Sequence, residues 1–207
     1  HEADQRLLLE KSLHTAIENE EFELYYQPQN LADGKIIGAE ALIRWVHPEN
    51  GVISPADFIP VAEASGLFIE IGDWVIETAC RQIRQWQNLN LLKDTDHIAI
   101  NISPTHFHSN HFEARLIQLI NEHQIDPANL MIEFTEATVI GNMRETIERM
   151  NSLKKHRLRF AIDDFGTGYS SLSYINQLPF DQLKIDRSFV NGCSPSIEAH
   201  AIVKAIT

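Results

Sequence analysis

Apolar and polar positions along the chain change period several times, and each change marks an element. Leu9, Leu13 and Ile17 recur every fourth residue in a charged opening segment, which predicts an amphipathic helix leading into the domain. Phe22–Gln27 and Ile36–Trp45 are β-rich stretches parted by the turn signal Ala32-Asp33-Gly34-Lys35, so they predict a hairpin of two antiparallel strands. Ser54-Pro55-Ala56-Asp57 predicts a helix start, with the Ser hydroxyl as cap and Pro in the first turn, where its missing N–H costs nothing. Val75, Ala79, Ile83 and Trp86 then trace one helical face.

From there the pattern alternates. Strands are expected over His97–Ser103, Leu130–Glu136, Leu158–Asp164 and Gln182–Asp186. Helices are expected between them over Phe112–His123, Met143–Lys155 and Leu172–Gln177. This βα series predicts an α/β fold with a parallel sheet, and spacing alone leaves a closed barrel and an open doubly wound sheet both standing. No low-complexity segment interrupts it, so residues 1–19 read as a lead-in helix or the end of a linker and 20–207 as one domain.

Composition narrows the classes. With 207 residues and 43% hydrophobic content the chain can bury one sizeable core. No apolar run reaches the roughly 18 residues of a spanning helix, which predicts a domain not inserted in a membrane, although a parent protein could be anchored elsewhere. A net charge of −12 argues against a nucleic-acid polymer as partner, because such binding needs clustered Lys and Arg. A polyanionic ligand would instead need bound cations or a few cationic side chains in a cleft. Cys80 and Cys193 lack disulfide-framework or metal-ligand spacing, which points to a reducing compartment, the cytoplasm. The histidines are scattered; His106, His108 and His111 fit exposed helix starts, and none is given a chemical role.

The chemistry gathers at strand ends. Asn101, Glu133 with Glu136, Asp163 with Asp164, and Lys184 with Asp186 lie near the C-terminal ends of successive predicted strands, the rim where barrel active sites are built. Glu40, flanked by Ala39, Ala41 and Leu42, joins them, because a carboxylate in a buried strand needs a partner. Any one of these acids alone would serve as a cap or turn residue. The set, with a Lys among it, is better explained by cations, since convergent carboxylates cannot all stay ionised without them. Oxygen donors without Cys or His select Mg²⁺ or Mn²⁺ over zinc. Lys184 and Asp186 share a strand face, whereas Asp163 and Asp164 point opposite ways until the strand ends, so Asp163 could bridge two ions while Asp164 serves one. Two metals about 3.5–4 Å apart are a standard device for attack on a phosphodiester. The glycines of Phe165–Ser171 suggest a mobile loop or a tight turn into a helix.

These residues carry a resemblance. Glu40-Ala41-Leu42, within Glu40-Ala41-Leu42-Ile43-Arg44-Trp45, resembles the signature that names the EAL phosphodiesterases. It comes with Tyr26-Gln27-Pro28, Asn101-Ile102-Ser103, Glu133-Phe134-Thr135-Glu136, the Asp163–Ser171 run and Lys184-Ile185-Asp186, in family order and spacing. The resemblance implies a modified TIM (β/α) barrel with an antiparallel first strand. It implies Glu40, Asn101, Glu133 and Asp163 as main metal ligands, Asp164 and Asp186 around a second ion, and Lys184 holding the attacking water. Glu136 would anchor the loop after the Asp pair, Arg44 would contact a substrate phosphate, and Gln27, Leu42 and Pro55 would line the substrate pocket.

The activity so implied is hydrolysis of cyclic di-GMP to linear pGpG, in a homodimer whose parent chain carries other signalling domains. Family members continue with a further strand bearing a glutamate and a later segment bearing a glutamine, and neither motif occurs here. The expectation is therefore a barrel truncated before its last strands, for which a cyclic di-GMP receptor or regulatory module without turnover is the favoured alternative. An unrelated barrel enzyme using the same metals is opposed only by the run of motifs.

Overall fold

The computed structural model describes residues 2–93, 96–135, 138, 142–165 and 177–185. The chain forms two compact units, His1–Met131 and Ile132–Thr207.

In the first unit, α1 (Glu2–Ala16) buries Leu13 and Ala16, while Leu9 and Ile17 are half-buried and Ile17 follows the helix in a turn. Strand β1 (Phe22–Asn30) pairs antiparallel with β2 (Ile36–His47), as the hairpin pattern predicts. Their turn is closed by Leu31 N–H donating to the Lys35 carbonyl at 2.9 Å, and Gly34 takes φ 85°, a conformation only glycine adopts without strain. A short third strand, β3 (Gly51–Ile53), folds back antiparallel on β2 and was not anticipated.

Helix α2 (Pro55–Ser65) begins as expected. Ser54 Oγ accepts from Ala56 N–H at 3.3 Å, Pro55 occupies the first turn, and the left-handed Gly66 ends the helix. Helix α3 (Phe68–Asn88) buries Ile71, Val75, Ile76, Ala79, Cys80 and Ile83, the predicted face. Trp86, at the end of that face, is half-buried with its ring 5.1 Å from that of Tyr26.

Strand β4 (His97–Asn101) runs parallel to β2, with Glu40 opposite Ala99. It is followed by α4 (Pro104–Phe107), capped by Ser103, by α5 (Phe112–His123), and by a single 3₁₀ turn (Pro127–Asn129). Where β1, β2, α2 and α3 meet, Phe22 packs its ring 5.7–5.9 Å from those of Trp45, Phe58 and Trp74. Burying each such ring stabilises by about 1.5–3 kcal/mol. The one polar atom of Trp45 is satisfied, its indole N–H donating to Glu21 at 2.8 Å.

The chain passes into the second unit within β5 (Leu130–Thr135), which is buried along nearly its whole length. There, α6 (Met143–Lys154) precedes β6 (Arg159–Phe165), and β7 (Gln182–Ile185) lies parallel to β6. Asp181 joins these elements: it accepts from Phe160 N–H at 2.8 Å and from Lys154 Nζ at 2.5 Å. Phe134 and Phe160 pack their rings 5.9 Å apart beneath. The helix expected over Leu172–Gln177 lies, apart from Gln177, outside the described residues, as do Glu136, Asp186 and all of the glycine loop except Phe165.

Candidate active site

In the first unit the antiparallel register of β1 and β2 decides what shares a face. Gln27 stands opposite Glu40, Tyr25 opposite Leu42 and Glu23 opposite Arg44, so these alternate residues lie on one side of the hairpin. Phe22 and Trp45, the other parity, belong to the buried side. Asn101, at the C-terminal end of β4, donates from its amide to Glu40 Oε1 at 2.9 Å. Because a carboxylate only accepts, the amide nitrogen must face it, which leaves the Asn101 oxygen as a donor for a cation. Leu42, Arg44, Pro55 and Asn101 border one cavity of about 160 Å³, floored by the apolar start of α3. Arg44 donates to the Ile43 carbonyl at 2.8 Å and holds its guanidinium carbon 5.6 Å from the centre of the Tyr25 ring.

In the second unit Glu133, on β5, has 0% exposure. An ionised carboxylate there is costly unless it is paired and hydrogen-bonded. Lys184, on β7, supplies both: its Nζ lies 2.6 Å from Glu133 Oε2 and 3.4 Å from Asp163 Oδ2. Asp163 Oδ1 also accepts from the Asp164 N–H at 2.9 Å.

The two aspartates sit at a break in the β6–β7 ladder. Ile162 is opposite Leu183 and Phe165 opposite Ile185, so Asp163 and Asp164 together stand against Lys184 alone. The extra residue is absorbed by Asp164, whose φ of 51° is left-handed, a conformation Asp tolerates better than most residues. The expected divergence of the two side chains therefore comes from a bulge rather than from simple alternation. Asp163 is half-buried and Asp164 exposed.

The donors present fit hard divalent cations. Glu40, Glu133 and Asp163 offer carboxylate oxygens and Asn101 an amide oxygen, with no thiolate or imidazole in either group. The buried Cys80 thiol is pushed up to about 12, chiefly by burial, which keeps it protonated and unreactive. Tyr26 is likewise pushed up to about 12 by burial, against a smaller opposing effect of Arg81, so its phenol stays neutral.

One expectation is corrected. His106 is not at an exposed helix start: it is 1% exposed, and its Nε2 lies 3.0 Å from Asp73 Oδ1 on α3. Burial lowers its pKa, outweighing the opposing pull of Asp73, so the neutral ring donates from Nε2. Nδ1 has no hydrogen-bond partner among the described residues and faces the backbone of α3 at Gly72, where an added Cβ would come within 2.2 Å of it. This contact fixes the segment that follows Asn101 against α3. His108 is half-buried and His111 exposed.

The EAL domain profile matches residues 10–207. The chain is 41% identical to the Synechocystis protein sll1895 over 98% of its own length and 29% of that protein's. It is 39% identical to the bifunctional diguanylate cyclase/cyclic di-GMP phosphodiesterase MucR of Pseudomonas aeruginosa, over 99% of its length and 30% of that protein's. It thus spans less than a third of the length of these curated relatives.

The solved structure of the MucR phosphodiesterase in complex with cyclic di-GMP superposes with a TM-score of 0.89 at 39% identity, covering 96% of this chain and 80% of that one. The EAL enzyme Bd1971, bound to cAMP and cyclic di-GMP, gives 0.87 at 37% identity, covering 100% and 56%. The fold is accordingly α/β with a mostly parallel sheet, of the TIM-barrel-like EAL type, and the spacing-based alternative of a doubly wound sheet falls away. The chain belongs to the EAL domain family.

Proposed function

We propose that the protein is a metal-dependent phosphodiesterase that hydrolyses cyclic di-GMP to linear pGpG. The observation that carries this reading is Lys184, an ammonium held between the buried Glu133 and the half-buried Asp163. A cation on two acids at a strand end is poorly suited to stability alone, where an apolar trio would do as well, and well suited to a site that handles charge.

Glu40, Asn101, Glu133 and Asp163 would serve as metal ligands, joined by Asp164 and Asp186. The ions, Mg²⁺ or Mn²⁺, would supply charge neutralisation at the phosphate and acidify water. Lys184 would donate to the attacking water and hold its oxygen in line, while its charge offsets the negative charge that builds on the phosphoryl oxygens. Water adds to phosphorus, the bond from phosphorus to the ribose 3′ oxygen breaks, and the released 3′ oxygen takes up a proton, leaving a 5′ phosphate. Arg44 would grip a phosphate through its fork, and Gln27, Leu42 and Pro55 would border the substrate. Glu136 would anchor the loop after the Asp pair.

The test is chromatographic separation of pGpG after incubating the full-length protein with cyclic di-GMP and Mg²⁺ or Mn²⁺. Product formation abolished by a chelator supports the proposal. Binding measured by calorimetry with no product under either metal replaces it by a receptor without turnover. The length of the relatives supports further signalling domains in the whole protein.

A further inference from the structure

Arg44 lies on the same face of the hairpin as Glu40 and Leu42, and its position is not left to solvent. Its guanidinium lies over the face of Tyr25, 5.6 Å from the ring centre, and its Nη1 is tied to the Ile43 carbonyl at 2.8 Å. Tyr25 stands opposite Leu42, on the same side as Gln27 and Glu40, yet it is 49% exposed. A large ring left half in water in the middle of a strand contributes little to a core. Its visible partner is the arginine that borders the cavity with Leu42, Pro55 and Asn101.

We propose that Tyr25 is a positioning residue for the substrate-gripping fork, holding the Arg44 guanidinium over its ring so that its remaining N–H groups are presented to a phosphate of the bound dinucleotide. The inference rests on the function proposed above. An arginine free in solvent must be ordered when it binds, at about 0.5–1.5 kcal/mol for a side chain with this many rotamers. A cation over an exposed aromatic ring gains a similar amount beforehand. Removing the ring while keeping its bulk should therefore weaken binding by about twofold to tenfold. Phenylalanine keeps the ring face and should keep the effect; leucine does not.

The experiment is calorimetric titration of the full-length protein with cyclic di-GMP, Ca²⁺ replacing the catalytic metal, beside steady-state turnover with Mg²⁺ or Mn²⁺. Tyr25→Phe should bind like the parent. Tyr25→Leu should lose affinity by that factor and raise KM more than it lowers kcat, and Tyr25→Leu combined with Arg44→Ala should bind no worse than Arg44→Ala alone. In the substrate-free protein the Arg44 side-chain NMR signals should carry a ring-current shift that persists in Tyr25→Phe and vanishes in Tyr25→Leu. A Tyr25→Leu variant that binds as well as the parent, binds more tightly, or adds its loss fully to that of Arg44→Ala overturns the role of Tyr25 alone. A parent protein that binds no cyclic di-GMP overturns the proposed function and this role with it.

Discussion

Lys184 Nζ lies 2.6 Å from Oε2 of Glu133, a carboxylate with 0% exposure that is reached across 51 positions of sequence. The pair explains how an acid can be kept ionised inside the second unit. It also sets a lysine on two acids whose proposed role is to bind other cations.

Lys184→Met should therefore destabilise the protein in the presence of a chelator, because it removes the ammonium from a fully buried carboxylate. Breaking such a pair costs about 3–5 kcal/mol, and the 20% exposure of Lys184 places the expectation at the lower end. Mg²⁺ or Mn²⁺ should return part of the loss, since a bound ion can stand in for the ammonium. Urea unfolding with and without metal measures both effects. Equal midpoints for parent and variant in chelator would contradict the compensation argument.

Asp164 allows backbone and chemistry to be separated. Its φ of 51° is comfortable for glycine and strained for a β-branched residue. Asp164→Gly should keep stability within about 1 kcal/mol, whereas Asp164→Val should lose about 1–3 kcal/mol. Both should lower turnover if the carboxylate serves an ion, so a fully active Asp164→Gly variant would remove this residue from the ligand set.

His106 should make the stability of the fold depend on pH. Its folded pKa is lowered below the unfolded value of about 6.5, so the unfolded chain binds the proton more readily. The stability it contributes is present above about pH 6.5 and is lost as pH falls through the folded pKa. The charged groups of α3 and α5 around it are Asp73, Glu77 and Arg115, with Arg115 bridging to both acids at 3.4–4.0 Å. His106→Gln should flatten the decline below about pH 6.5 in denaturant titrations. An unchanged slope would show that the ring does not titrate with folding.

The βα rhythm was legible because it is local: the period changes between two and 3.6 wherever strand gives way to helix. Ser54-Pro55 and Phe112–His123 could be placed almost to the residue for the same reason. Asn101, Glu133 and Asp163 lie toward the C-terminal ends of β4, β5 and β6, where the pattern placed them.

What escaped is set by distant partners. β3 has only three residues and is a strand because β2 is beside it. The bulge at Asp163-Asp164 is a property of their pairing with β7, which no local pattern encodes. His106 lies in a four-residue helix, and its burial is decided by Gly72 and Asp73, more than thirty positions earlier. A glycine at position 72 of an otherwise well-formed helix was the one signal that something packs closely there.

The central claim is that Asp163 is a metal ligand in a cyclic di-GMP phosphodiesterase, and the rate of pGpG formation by full-length Asp163→Asn against the parent, in Mg²⁺ and in Mn²⁺, tests it most directly. The amide keeps the shape and the hydrogen bond from the Asp164 N–H, so the variant should fold, with a thermal transition close to that of the parent. Its turnover should fall by about 10²-fold or more, the scale for losing one positioned charged group from such a site. A folded Asp163→Asn protein that produces pGpG at nearly the parent rate, or a parent that produces none with either metal, would contradict the account.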